Sequence, residues 1–315
     1  MTKTTQTTNC PNGCQRWLTQ SSINSNSGMN DSEQFAHVNW SASAARVFEE
    51  CPRRFFYRYQ QTESTGDYSE YTPSPGAYLG TVVHKSLAGQ VARWARSENI
   101  HLQTATDYAK DELERYTEAN AETIADRIND TDIETFDSDS FTRSLVRTAR
   151  NHIRRFFRVI WPHFEDHRYI AHETRQTFNI AEEPVTVQPD LCTRSPKGDF
   201  VVTDWKTGAY DRFSNPTIQM QAYALYAHEA YEPELSRIRV QLAHTGSGEF
   251  DRMVPTTEDI RRVQERITNN RAFWTSQGDI EFYETDPAVQ KCSHCSYLHR
   301  CTDGQTVVGE DPEPK

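Results

Sequence analysis

The chain has 315 residues, only 36% of them hydrophobic, and a formal net charge of −11; that length suffices for one large domain or two ordinary ones with a full core. It has no apolar run long enough for a transmembrane helix, and its start, MTKTTQTTNCPNGCQ, lacks the apolar stretch of a secretory signal, so the expected location is the cytoplasm, away from any membrane. The acidity weighs against a general nucleic-acid binder, yet only 7 of the 34 basic residues are lysine, and abundant acid with scarce lysine resembles halophilic proteins, whose acidity serves solubility and says little about the ligand.

In chain order, residues 1–36 are rich in Thr, Ser, Asn and Gln and read as a disordered tail. Order is expected from VNWSASAARVFEECPRRFFYRYQ, where Ser41 or Ser43 can cap a helix carrying Ala45, Val47 and Phe48. YLGTVVHKSLAGQVARWARSE has helical period, with Val82, Val83, Leu87, Val91 and Trp94 on one broad face. Residues 103–137 carry many acids and predict a solvated helical insertion, spanning about 95–165 with the amphipathic helix that follows. In that helix Arg143, Arg147, Arg150, Arg154 and Arg158 fall on one side, opposite Leu145, Ala149, Ile153, Phe156 and Ile160.

The period then changes. YIAHETRQTFNI, VTVQPDLCTR and DFVVTDWKT have strand character, with PKGD as a hairpin turn between the last two. NPTIQMQAYALYAHEAY is helical, RIRVQLAHTG and the segment around Phe250 and Met253 are strands, and TTEDIRRVQERITNNRAFWTSQG is a Thr-capped helix. The order predicts an α/β fold. Residues 303–315 read as a flexible tail.

Asp190 and Asp204 end two segments joined by the PKGD turn, so adjacent antiparallel strands bring the two carboxylates together. Paired carboxylates repel unless a cation lies between them, and hard oxygen ligands suit Mg²⁺ or Mn²⁺. Lys206, two residues after Asp204, shares its face of the strand and can orient a water or offset charge at a scissile phosphate. Taken alone, an Asp-x-Lys on a strand is more often a solvated pair; the apolar lead-in FVV and the upstream Pro-Asp point instead to metal-assisted phosphodiester hydrolysis.

QPD and DWKTG, 14 positions apart at their aspartates, resemble the core motif of the PD-(D/E)XK nuclease superfamily. The chain is more narrowly similar to the RecB/AddB-like branch, which includes CRISPR-associated RecB-like exonucleases. The resemblance implies a restriction-endonuclease-like mixed sheet flanked by helices, in a nuclease domain over 37–302. YLGTVVHKSL matches the helix with a metal-ligand histidine, here His84, and QMQAY matches the Gln-x₃-Tyr element, here Gln219 and Tyr223. Implied metal ligands are His84, Asp190 and Asp204; Lys206, Gln219 and Tyr223 complete the catalytic set. Glu173, expected on the strand before the hairpin, either supports the metal or pairs with an arginine.

CSHCSYLHRC supplies Cys292, Cys295 and Cys301, and three clustered thiolates need a fourth for a closed metal site. The resemblance offers Cys51 and a [4Fe–4S] cluster joining the N-terminal part to the segment 292–301. Spacing alone leaves zinc open, with His294 and His299 conceivable in a mixed site. Cys192 is expected in the core, and Cys10 and Cys14 as unligated thiols in the tail.

A phosphodiester substrate needs cations. Arg53 and Arg54 beside Cys51, and the stripe including Arg147, Arg154 and Arg158, can track a backbone, unless they are simply a solvated face paired with surplus acids. Phe55, Phe56, Tyr57 and Tyr59 can stack on bases or pack in a core. The expected activity is a metal-dependent deoxyribonuclease, an exonuclease on single-stranded DNA or DNA ends in repair. The alternatives are CRISPR spacer acquisition or a non-catalytic Fe–S DNA-binding subunit. The sequence lacks G-x₄-G-K-[ST], so a separate helicase or repair or CRISPR complex would supply any unwinding.

Overall fold

The strands are β1 (Arg168–Ala171), β2 (Gln176–Ile180), β3 (Glu183–Val187), β4 (Leu191–Arg194), β5 (Phe200–Lys206), β6 (Ile238–His244) and β7 (Phe250–Met253). Five form a sheet in the order β1-β4-β5-β6-β7, and β2 and β3 form a separate hairpin. Within this sheet the β5–β6 pair is parallel and the β1–β4, β4–β5 and β6–β7 pairs are antiparallel. This is the mixed α/β sheet expected from the sequence. The computed structural model describes residues 38–61, 73–129, 137–208, 218–232, 234–276 and 279–309, without the side chains of 126–129. The N-terminal tail with Cys10 and Cys14, and residues 310–315, lie outside the described residues.

Side chains alternate along β5, so the sheet feeds two cores. Phe200 and Val202 face one of them, with helices α1 (Ala42–Glu50), α2 (Pro52–Phe55, continued by a π turn, Phe56–Gln60), α7 (Ile218–Ala230) and α8 (Thr257–Ser276). Trp205 faces the other, with α3 (Pro75–Ala95), α4 (Leu102–Ala119) and α6 (Ser138–Arg155, continued by a π turn, Phe156–Ile160). α5 (Ala121–Asn129) follows α4.

Ser41 caps α1, its Oγ accepting from the Ala44 N–H at 3.1 Å. Ser74 caps α3 in the same way, at 3.3 Å. The aromatic run after Cys51 is core: Phe55, Phe56 and Tyr57 are buried, and Phe55 stacks on Trp274 at 4.4 Å. Such a pair adds roughly 0.5–1.5 kcal/mol beyond its buried area. Those three rings are therefore unavailable for stacking on bases.

Three expectations need correction. The acidic stretch after residue 103 is not simply a solvated helix: Ala105, Ala109, Leu113 and Tyr116 form a buried row on α4. Acids occupy the other faces, so charge count concealed an apolar stripe. Glu173 is not on a strand; it follows β1 in a left-handed conformation (φ 46°). Residues beyond 302 are not all tail, since α10 (Thr302–Gly309) is a helix. Gly304 is buried there, where a Cβ would meet Leu298 Cδ1 at 3.2 Å.

Candidate active site

β5 enters the site as an apolar strand and leaves it as a charged one. In the antiparallel register Leu191 faces Thr203; one position further, Asp190 comes opposite Asp204. Both are nearly inaccessible, at 5% exposure each. Asp190 Oδ2 accepts from the backbone N–H of Trp205, which fixes its carboxylate against the end of β5. The 195–199 turn that sets this register needs a left-handed residue, supplied by Gly198 (φ 86°).

α3 brings the histidine. His84 lies one turn beyond Gly80 on the same helix face. At Gly80 the helix passes so close to the end of β5 that a Cβ would stand 2.9 Å from Thr207 Oγ1. That approach seats His84 Nδ1 3.1 Å from Asp190 Oδ1. Glu173 arrives from the turn after β1, its N–H donating to the Pro189 carbonyl at 3.1 Å and its Oε2 accepting from Gln188 Nε2 at 3.1 Å. One ligand atom from each of His84, Glu173 and Asp190 then lies within 4.8 Å of the others. Glu173 has no distinctive spacing in the sequence; its one local signal is its place ahead of the hairpin.

Asp204 is held differently. Its Oδ2 is 2.7 Å from Lys206 Nζ. Its Oδ1 lies 2.8 Å from Tyr223 Oη and accepts from Gln219 Nε2 at 3.0 Å. Gln219 Oε1 accepts from Lys206 Nζ at 2.6 Å, and Tyr223 Oη also reaches the Gln188 carbonyl at 3.0 Å. Gln219 and Tyr223 are one turn apart on α7 and together clamp the Asp204–Lys206 pair. Lys206 is the more open member, with a third of its side chain exposed.

Behind the lysine, the Thr245 N–H and Oγ1 both donate to the Lys206 carbonyl, at 2.8 and 3.0 Å. Thr245 Oγ1 in turn lies 2.8 Å from His152 Nδ1 on α6. This bracing couples the helical layer to β5 and had no signature in the sequence.

The electrostatics are those of an acid cluster that Lys206 and His84 only partly balance. Burial raises the Asp190 pKa, and the nearby Asp204 charge adds to it. Burial and the Asp190 charge raise Glu173. At His84 burial favours the neutral ring, but the hydrogen bond and charge of Asp190, with Asp204 and Glu173, outweigh it and raise its pKa. The folded chain thus concentrates negative charge where desolvation opposes it. Carboxylate oxygens and one imidazole are a donor set that fits Mg²⁺ or Mn²⁺.

The other expected residues form two further groups. Cys51, Cys292, Cys295 and Cys301 line one cavity together with Arg53, Arg54 and Tyr57. Cys292 ends α9 (Val289–Cys292). Among the described residues no three thiol sulfurs come within 4.8 Å of one another. Arg53 Nε donates to the Tyr283 carbonyl at 2.7 Å, and Arg54 pairs with Glu50 at 3.4 Å. Arg147, Arg154 and Arg158 are exposed along α6 and its π turn. Arg143 in the same stripe reaches Asp137 at 3.8 Å, whereas Arg147, Arg154 and Arg158 have no carboxylate partner among the described residues. Cys192 is buried as expected, and burial pushes its thiol up to about 12.

A family model described as the PD-(D/E)XK nuclease superfamily matches residues 39–302. No curated protein matches the chain. A solved structure titled "Crystal structure of SSO0001" aligns with 60% of this chain and 80% of its own, at 14% identity and a TM-score of 0.30. That likeness is too distant to bear on the fold or the site. No described helix is long and apolar enough to cross a membrane.

Proposed function

Because the chain belongs to the PD-(D/E)XK nuclease superfamily, we propose that it hydrolyses phosphodiester bonds of DNA at the His84–Glu173–Asp190–Asp204–Lys206 cluster. The observation that carries this reading is the convergence of His84, Glu173 and Asp190 beside the clamped Asp204–Lys206 pair. His84, Glu173 and Asp190 would hold Mg²⁺ or Mn²⁺, with Asp204 adjoining. A bound divalent ion would supply Lewis-acid stabilisation of charge on the phosphoryl oxygens. Lys206, oriented by Asp204 and Gln219, donates to an attacking water or a non-bridging oxygen. Tyr223 and Gln219 act by holding Asp204 in place.

Substrate contact falls to the arginines. Arg147, Arg154 and Arg158 form an exposed row with no carboxylate partner among the described residues of an acidic chain, which suits a polyanionic backbone. Single-stranded DNA or DNA ends, exonucleolytic cleavage and a place in repair follow from the RecB/AddB-like motifs rather than from any contact. The three-helix layer α4–α6 supports a free-standing nuclease over a compact CRISPR-adaptation one. Retention of His84, Asp190, Asp204 and Lys206 together argues against a non-catalytic subunit.

The four cysteines are read as ligands of a [4Fe–4S] cluster. Support comes from their shared cavity. Arg53 and Arg54 beside them would offset the cluster's negative charge. The cluster would act as a staple between chain segments more than 240 residues apart, as the numbers of Cys51 and Cys292 show.

Incubation with Mn²⁺ and matched linear and covalently closed single-stranded DNA tests the activity and its mode. Shortening of the linear strand with the circle intact is expected. Cleavage of the circle at the same rate contradicts the exonuclease assignment, and cleavage of neither contradicts the nuclease.

A further inference from the structure

On the far side of β5 from the acid cluster, the turn after α6 and the β6–β7 edge enclose a cavity of about 400 Å³. Its nearest point on β5, Val201, lies three residues before Asp204, roughly 10 Å along the strand. None of the proposed metal or catalytic residues lines it. Val201 and Val254 are its apolar lining, since Met253 pairs with Val240 and turns its side chain to the opposite core, and Arg239, Gln241, Arg252, His163 and His167 supply the polar wall.

No lining side chain is acidic, in a chain whose net charge is −11. Arg239 is partly neutralised by Asp199 at 3.3 Å. Arg252 lies over the Phe250 ring at 4.4 Å and has no carboxylate partner among the described residues. His163 meets the same ring edge-on at 4.9 Å, and burial with the Arg252 charge keeps its pKa low. His167 Nδ1 is engaged by Thr193 Oγ1 at 2.9 Å. The free positive charge therefore centres on Arg252.

The ligand must be anionic at one end, by charge complementarity. A bare phosphate would leave most of the volume empty, because pockets of roughly 300–1,000 Å³ hold small organic molecules. The apolar floor calls for a flat, weakly polar body. We infer that this cavity binds a nucleoside monophosphate, with its phosphate at Arg252 and its base against Val201 and Val254. The walls alone dictate that chemistry; the inference rests on the nuclease reading only for the source, a mononucleotide released by hydrolysis.

Isothermal titration of the full-length chain in EDTA, with dAMP, inorganic phosphate and deoxyadenosine as probes, tests it without turnover. Saturable dAMP binding, tighter than either fragment, is expected. Arg252→Gln and Arg252→Glu, at an exposed edge-strand position, should each weaken dAMP binding at least tenfold. Both should leave Mn²⁺-dependent DNA cleavage and the melting temperature unchanged. No dAMP binding by the wild type, undiminished binding by both variants, or phosphate binding as tight as dAMP would overturn the assignment. A comparable loss in Asp204→Asn would also overturn it, by moving the nucleotide to the acid cluster. Intact, Arg252-dependent dAMP binding in a chain that cleaves no DNA would contradict the nuclease reading and uphold the cavity.

Discussion

Gly80 and Thr207 meet where α3 crosses the end of β5, and a Cβ on Gly80 would lie 2.9 Å from Thr207 Oγ1. The contact sets the height of His84, one turn on, above Asp190. Gly80→Val should therefore lift the helix and lower activity by at least about tenfold, in line with losses when a metal ligand's support is disturbed. Gly89, on the same helix, has open space around its Cβ position. Gly89→Ala should stabilise the chain by about 0.5–1 kcal/mol without affecting activity. Thermal melts and cleavage rates of the two variants check both.

Asp190 gives a second prediction, because its buried charge opposes folding while it serves the metal. Its raised pKa means the folded chain binds a proton more readily than the unfolded chain. The metal-free protein thus loses stability as pH rises above the ordinary carboxylate range through the folded pKa. Asp190→Asn keeps an acceptor for the Trp205 N–H and a donor for His84. It should raise the melting temperature in EDTA at neutral pH while cutting cleavage by about 100-fold or more. A lower melting temperature would show that the charge is compensated in the folded chain.

His152 has the opposite linkage. Burial, and then the Arg155 charge, lower its pKa. Between the folded and unfolded values the unfolded chain binds more protons, so stability is full above about pH 6.5 and falls below it. The stability gap between wild type and His152→Gln should narrow as pH drops from about 7.5 to about 5, measured by denaturant unfolding. A constant gap would mean that His152 does not titrate differently on unfolding.

Tyr223→Phe removes the hydroxyl shared by Asp204 Oδ1 and the Gln188 carbonyl. The expected stability cost is about 1–2 kcal/mol. The rate should fall more than substrate affinity, since the tyrosine orders Asp204 rather than the substrate. Equal rates in variant and wild type would remove Tyr223 from the clamp.

Iron and sulfide analysis of anaerobically purified chain should find about four of each per molecule. Cys51→Ser should lose both together with the visible colour. Stoichiometric zinc in a colourless wild type would contradict the cluster.

Much of the site was legible because it depends on local rules. His84, Gln219 and Tyr223 were legible only through the family motifs they match, whereas strand alternation places Asp204 and Lys206 on one face and a short turn sets Asp190 opposite. Those features survive in a linear reading because their spacing is short. Glu173 was not equally legible, since its position depends on a left-handed residue after β1 and on the Pro189 carbonyl. The buried row of α4 was obscured by acids on the other faces of the same helix. α10 was missed because the packing of Gly304 against Leu298 and Cys301 stabilises it, and no local propensity records that contact. The bracing of Lys206 by Thr245 and His152 joins residues far apart in sequence and leaves no motif.

The most direct test of the metal-dependent nuclease is cleavage of end-labelled single-stranded DNA by wild type, Asp204→Ala and Lys206→Ala, each with Mn²⁺ and with EDTA. The account predicts cleavage by the wild type with Mn²⁺, abolished by EDTA and reduced at least about 100-fold in both variants. Equal cleavage by wild type and Asp204→Ala, or cleavage that persists in EDTA, would contradict it.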